Sequence, residues 1–522
     1  MCCEDTASLA LLKERLKSLM DRREALKLAV TGTLGAVSGG AMAAPRVAGP
    51  ATKVERWGVH EVVLHGPMDG NPFVDVEVVA EYSQGARTVR VAGFYDGAGM
   101  YRVRWMPDES GVWRWVSRSA VKELDGAHGE FECLAPAADN HGPVGVTERF
   151  HFRYADGTRY FPFGTTCYAW VFESERLQEM TLANLKRSGF NKVRMCVMPK
   201  TFDAGEPERH PFPMVAGKLD FTRFDPEFFR HFEQRIADLG KLGVEADVIL
   251  FHPYGKPWGY DQMPQEVNER YLRYVIARLG SLRNVWWSLA NEYDLLKTWT
   301  MEEWDHLFRV TQEADVAGHL RSIHHSGPMY DYAKPWVTHA SLQVYDFDHV
   351  PDWKKAWGKP VVFDEVMYEG NLARRWGNLT GEELTRRFWL VVTAGAYCTH
   401  GEVIARKGAK DGLSADGAVL LGESPERIAF LRKLVYEDAI GMEQYEDAYY
   451  RSAGKKGELY LYYFDFHRPA SYVFPLPEGV TFRAELIDPW AMTVTALPGT
   501  FAGKSEIELT GRPYQAVRFR KV

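Results

Sequence analysis

Between residues 145 and 440, eight short apolar runs alternate with stretches of helical periodicity. The runs occupy 160–166, 192–197, 244–251, 285–290, 321–325, 340–345, 360–365 and 396–401. Helical segments at 182–188, 228–242, 266–279, 302–314 and 381–393 fall between them. Two parallel strands need a long crossover between them, and a helix is the usual one, so this alternation is the pattern of parallel βα units. Eight such units within about 280 residues suit a ring closed on itself, the (β/α)8 or TIM barrel, better than an open doubly wound sheet. No Gly-x-Gly-x-x-Gly opens a helix after the first run, which disfavours a dinucleotide-binding fold.

The flanks have a different texture. From 54 to 135, short alternating runs at 74–82, 88–95, 101–105 and 111–116 are broken by Gly, Pro and Asp, which predicts an Ig-like antiparallel β-sandwich. Trp105, Trp113 and Trp115 lie in these runs and read as core rather than as a sugar platform. Residues 136–143, bounded by Pro136 and Pro143, read as a linker. From 444 to 522, strand-like runs return and predict a second β-sandwich. The expected class is therefore α/β, a barrel between two all-β domains.

Residues 1–44 read as an export signal. Arg22 and Arg23, followed by Leu26 and Lys27, precede an uncharged Ala, Gly, Ser and Thr-rich stretch that ends in Ala41-Met42-Ala43. This resembles a twin-arginine signal with its cleavage site, and it is too short and Gly-rich for a membrane span. Met20, immediately before the run Asp21-Arg22-Arg23, is the expected true start. A periplasmic or extracellular location follows, without stable membrane insertion after processing. The four cysteines beyond the signal, Cys133, Cys167, Cys196 and Cys398, form neither a CxxC pair nor a zinc-ligand spacing and read as buried thiols.

Composition narrows the partner. With 63 Lys and Arg against 70 Asp and Glu, the chain has no excess of positive charge to hold nucleic acid. Aromatic residues make up 13%, more than a core of ordinary make-up needs, and they offer flat stacking faces for carbohydrate.

In a barrel of this kind, chemistry gathers at the C-terminal ends of the strands. In chain order those ends offer Tyr168 and Trp170, Arg194, His252, Asn291 with Glu292, His324 with His325, Gln343 with Tyr345, Asp364 with Glu365, and His400 with Glu402. Glu292 and Glu365 each follow a strongly apolar run. Cleaving an acetal needs one carboxyl to protonate the departing oxygen and another to meet the oxocarbenium-like carbon, and a separation of about 5 to 5.5 Å gives retention. The acid then needs a raised pKa, from burial and from its neighbour's charge.

The segment Trp286-Trp287-Ser288-Leu289-Ala290-Asn291-Glu292 resembles the strand-four signature of clan A glycoside hydrolases, and Val362-Phe363-Asp364-Glu365 resembles their strand-seven nucleophile. The resemblance implies that Glu292 is the acid/base, Glu365 the nucleophile, Asn291 a partner of the sugar 2-hydroxyl, and Arg194 the cation that keeps the nucleophile ionised. Tyr345 falls where the clan often places an aromatic residue or histidine beside the nucleophile. More narrowly, the chain resembles bacterial proteins that join an N-terminal β-sandwich to an apiosidase-like barrel and a C-terminal β domain, with Phe161–Thr166 and Gly189–Arg194 as further marks. It departs from many clan members in presenting Cys398-Thr399-His400-Gly401 rather than a tryptophan on the eighth strand.

Several of these residues admit two readings. His252, His325 and His400 read equally as sugar ligands or as pocket wall, and Trp170 and Trp258 as stacking rings or as closures of the mouth. Asp364 reads as structural. The expected function is a secreted retaining hydrolase, exo-acting on β-D or α-L linkages of oligosaccharide or polysaccharide, with no cofactor or metal. A carbohydrate-binding barrel without hydrolysis is the alternative, though it would not need both glutamates. A metal hydrolase built on His252, His324 and His325 is disfavoured, because adjacent histidines on a strand face opposite ways.

Overall fold

A computed structural model describes residues 52–201, 207–405, 417, 419–438, 442–445 and 449–522. The expected signal at 1–44 lies outside them. Eight parallel strands form the central sheet: β1 (Phe163–Thr166), β2 (Lys192–Cys196), β3 (Glu245–Phe251), β4 (Val285–Ala290), β5 (Arg321–Ser322), β6 (Ala340–Leu342), β7 (Val361–Phe363) and β8 (Tyr397–His400). Each pairs with its neighbour in sequence, β8 pairs with β1, and one parallel bridge between His324 and Ser341 closes the seam from β5 to β6. The (β/α)8 barrel expected from the sequence is the observed fold.

Seven helices surround it among the described residues: α1 (Glu175–Arg187), α2 (Pro226–Lys241), α3 (Gln265–Leu279), α4 (Met301–Ala314), α5 (Val350–Trp357), α6 (Gly381–Thr393) and α7 (Ser424–Glu437). Their starts are written in the sequence. Asp225 accepts from the backbone N–H of Glu227 and Phe228, ahead of a proline that needs no hydrogen-bond partner. Thr300 and Glu303 form a reciprocal capping box. Every residue of β2, β3 and β4 is buried, as expected of parallel strands covered on both faces.

The N-terminal sheet has seven strands, antiparallel except where Thr52–Glu55 runs parallel to His128–Leu134. Trp105, Trp113, Trp115, Tyr82 and Phe131 fill its core. The run at 74–82 is only partly a strand: Pro72–Asp75 is a short helix and the strand begins at Val79, because Pro72 fixes a helical φ after Asn71. Phe73 packs edge-on against Phe224 and Tyr274, which ties this sheet to the barrel helices.

The C-terminal region is a six-stranded antiparallel sheet with a two-stranded companion. One face packs on its own aromatic core, and the other continues the barrel core through Leu459, Leu461, Tyr463 and Ile487. Among the described residues, no helix is long and apolar enough to cross a membrane. Cys133, Cys167, Cys196 and Cys398 are buried thiols.

Candidate active site

Glu292 follows β4 and Glu365 follows β7, and each keeps only 8% of its surface exposed. Glu365 is held by donors. Tyr168 donates its hydroxyl to Oε1 at 2.5 Å, and the Tyr368 hydroxyl lies 3.0 Å from that of Tyr168. Arg194, fully buried on β2, donates to the Tyr168 oxygen at 3.2 Å and approaches Glu365 Oε1 to 3.6 Å. The same guanidinium donates to Asn291 Oδ1 at 3.0 Å. Asn291 therefore has its amide N–H groups to offer a ligand.

Glu292 has a different setting. Its Oε2 accepts from the Tyr254 hydroxyl. Its backbone adopts a left-handed φ of 50°, a conformation that costs a side-chain-bearing residue about 1–3 kcal/mol. His324 holds it there: Nδ1 accepts from the Glu292 N–H at 3.4 Å, and its carbonyl accepts from the Tyr293 N–H at 3.0 Å. Met367, with φ of 65°, makes a similar bend beyond Glu365, just before Tyr368.

These settings separate the two carboxyls. Burial, then the charge of Glu365, pushes Glu292 up to about 8, so it holds its proton near neutrality. Burial also raises Glu365, but Arg194 and the Tyr168 and Tyr368 hydroxyls oppose it by stabilising the anion. Of the pair, Glu365 ionises first. Burial and the Glu365 charge also keep Tyr168 protonated as a donor.

Below the pair lies a charged layer. Lys192, with no exposed surface, donates to Asp247 Oδ2 at 2.8 Å and Asp364 Oδ1 at 2.7 Å. Asp364 also accepts from Ser341 at 2.5 Å and Thr399 at 2.9 Å, so its carboxylate is pushed well below the usual range, lysine and arginine outweighing burial. Asp364 therefore points into the barrel, while Glu365, one residue on, faces the opening.

A family model for the apiosidase-like catalytic domain matches residues 147–402. Residues 53–120 match a domain of unknown function, DUF5060, and 449–520 match another, DUF5605. The chain is 38% identical to a candidate glycoside hydrolase from Bacteroides vulgatus ATCC 8482, whose crystal structure it matches over 90% of its own length and 100% of that chain, with a TM-score of 0.86. It belongs to this family of apiosidase-like glycoside hydrolases. A glycoside hydrolase family 5 structure from the same organism is 16% identical, covers 73% of this chain and 94% of its own, and has a TM-score of 0.57, a likeness of fold. No curated protein matches.

In this glycoside hydrolase the strand-end residues divide into two groups. Arg194, Asn291, Gln343 and Tyr345 gather around the glutamates; Gln343 lies close enough to Glu292 to favour its ionised form, and Tyr345 is 42% exposed. Four others do not present themselves to a ligand. Trp170 is completely buried in a short turn after β1, so its ring packs the core instead of stacking on sugar. His252 spends both ring nitrogens on the backbone, at Met198 O and Tyr254 N, and burial lowers it to about 4. His325 likewise bonds Gly327 O and Gln343 N. His400 has no exposed surface; its Nδ1 meets Thr165 Oγ1 at 2.9 Å and its ring stacks on Phe190.

His400, Glu369 and Glu402 place one ligand-type atom each within 4.8 Å of one another. Both glutamates brace a loop: Glu369 accepts from Glu423 N, Ser424 N and Ser424 Oγ, and Glu402 from Leu421 N. Two residues of the site, Tyr254 and Tyr368, carry no sequence signal beyond position, and Lys192 entered only within the segment Gly189–Arg194. Tyr254 and Tyr368 lie two and three residues past strand-end residues already singled out.

Proposed function

We propose that the protein is an exported, retaining glycoside hydrolase, exo-acting on oligosaccharides from polysaccharide, with Glu365 as nucleophile and Glu292 as acid/base. The unequal surroundings of the two carboxyls carry this reading: one has a guanidinium and two phenols, the other is buried beside its partner's charge. Glu365 attacks the anomeric carbon as Glu292 gives its proton to the departing oxygen, leaving a glycosyl ester. Esterification removes the Glu365 charge, so Glu292, now a carboxylate, can take a proton from water. That water displaces Glu365 and completes hydrolysis with retention. Asn291 and Gln343 offer amide donors to the hydroxyls of the sugar at the cleavage point. The limits 1–44 for the signal, 54–135 and 444–522 for the β domains and 145–440 for the barrel are part of this proposal, as is a linkage of β-D or α-L type.

The experiment is a panel of aryl β-D and α-L glycosides given to the mature protein, Glu365→Gln and Glu292→Gln, with NMR reading the anomer first formed. Release with retention, largely lost in both variants, is expected. Inversion, or activity that survives in the variants, would refute the assignment.

A further inference from the structure

Tyr345 also lines a cleft of about 900 Å³ that no part of the mechanism uses. This is at the upper end of small-molecule sites, which run from about 300 to 1,000 Å³. One wall is the barrel, through Tyr345 to Asp348 and through Arg386 and Leu390 of α6. The other is the C-terminal region, through Tyr449 to Arg451 and Tyr463 to His467. We propose that this cleft binds the distal rings of a neutral oligosaccharide whose terminal unit occupies the glutamate pair. The assignment of that terminal unit rests on the hydrolase reading above.

Three observations carry the proposal. The first is continuity. Tyr345 lines the cleft and also feels the charges of both Glu365 and Glu292, so one phenol borders both spaces.

The second is the lining. Tyr345, Phe466 and Tyr449 are among the most exposed large aromatic residues of the described chain, at 42%, 57% and 86%. Their neighbours are not idle: Tyr450 packs edge-on against Phe464 and Tyr472, and Arg386 lies 5.8 Å from the Phe466 ring. Exposed flat rings on a braced base suit the C–H faces of sugar rings, which are apolar while their edges are polar. Asp346 and Asp348, both mostly exposed, offer acceptors for hydroxyls at those edges.

The third is charge. Three carboxylates, Asp346, Asp348 and Asp465, face two guanidiniums. Arg386 is committed to Asp465, with Nη2 to Oδ2 at 2.9 Å, and Arg451 is paired with Asp348. Neither is left over to hold a uronate, so an acidic polysaccharide meets net repulsion and a neutral one does not. The C-terminal region thereby acquires a role: it supplies half of a substrate cleft.

The test uses the full mature protein carrying Glu365→Gln, so that a bound chain is not consumed, run through native gels containing β-glucan, galactomannan, arabinogalactan or homogalacturonan. Retardation by at least one neutral polymer is expected. Adding Tyr449→Ala and Phe466→Ala should weaken it by about tenfold, as removal of two aromatic anchors does, with thermal melting confirming the fold. No retardation in any neutral gel, retardation by homogalacturonan alone, or retardation that survives the double change each overturns the proposal. Aryl-glycoside hydrolysis by the unaltered protein reports separately on the glutamate pair: if it fails while the double change still abolishes retardation, the cleft stands and the hydrolase reading falls.

Discussion

Two clusters of buried charge in this chain show opposite solutions to the same problem. At the junction between the N-terminal sheet and the barrel, Asp96 meets Arg278 at 2.8 Å, Arg102 at 2.7 Å and Arg230 at 3.0 Å, while Glu233 meets Arg278 at 2.5 Å and Arg104 at 3.0 Å. Burial works against the Asp96 anion, but the arginines outweigh it and its pKa falls below the ordinary value. At the barrel mouth the cations are committed elsewhere. Lys192 is bound to Asp247 and Asp364, and Arg194 is shared between Tyr168, Asn291 and a 3.6 Å approach to Glu365. No lysine or arginine among the described residues pairs with Glu292, whose pKa rises to about 8. Matched charge fixes geometry; a deficit of cations leaves a carboxyl that holds a proton it can give away.

The largest effect that could break this comparison is on rate. Glu365→Gln and Glu292→Gln should each lower kcat/KM on an aryl glycoside by about 10²–10⁴-fold, the range for removing a positioned acid or base, with Glu365→Gln the more damaging. Asp96→Asn should leave kcat/KM per folded molecule intact. It should cost about 1.5–3 kcal/mol of stability, because Arg278, which has no exposed surface, keeps Glu233 but loses one of its two carboxylate partners. Denaturant unfolding and steady-state kinetics on the same samples check both. A kinetic loss in Asp96→Asn without a stability loss would erase the distinction.

A smaller effect has opposite signs in the two clusters. The Asp96 pKa is depressed, so its contribution is present above its ordinary value of 3.8 and is lost as pH falls through the folded value. Glu292 is raised. Below its ordinary 4.5 both states keep the proton; from there to about 8 only the folded state does, so stability falls as pH rises. Glu292→Gln should therefore gain roughly a few kcal/mol relative to wild type at pH 8 and above, and nothing below about pH 4. Melting temperatures measured across pH read this directly.

Most of the barrel was legible because its signals are local. The βα alternation and the two glutamates after apolar runs rest on residues that lie close in sequence. The site was legible only where a residue sits on a strand end and faces the opening. Direction around a strand end depends on bends such as the left-handed backbone at Glu292 and Met367, which non-glycine sequence does not announce. Hence Gln343 and Tyr345 reach the pair while Trp170, His252, His325 and His400 turn into the wall. Tyr254 and Tyr368 were missed for the same reason: loops, not periodicity, bring them back to the carboxyls. The Lys192 to Asp364 pair joins residues 172 positions apart, a contact that only closure of the ring creates.

The smallest prediction probes that missed group. Tyr254 donates to Glu292 Oε2, and a donor to a carboxylate favours the ionised form. Tyr254→Phe should therefore raise the Glu292 pKa. In the proposed mechanism Glu292 acts protonated, so kcat/KM should fall at alkaline pH later than in wild type, by up to about one pH unit. The acidic limb, which that mechanism assigns to Glu365, bonded instead to Tyr168, should stay in place. Tyr168→Phe should do the reverse: with one donor lost, Glu365 ionises at higher pH and the acidic limb moves up. If both variants moved the same limb, the two phenols would serve a single carboxyl, and the division of labour between Glu292 and Glu365 would not rest on their surroundings.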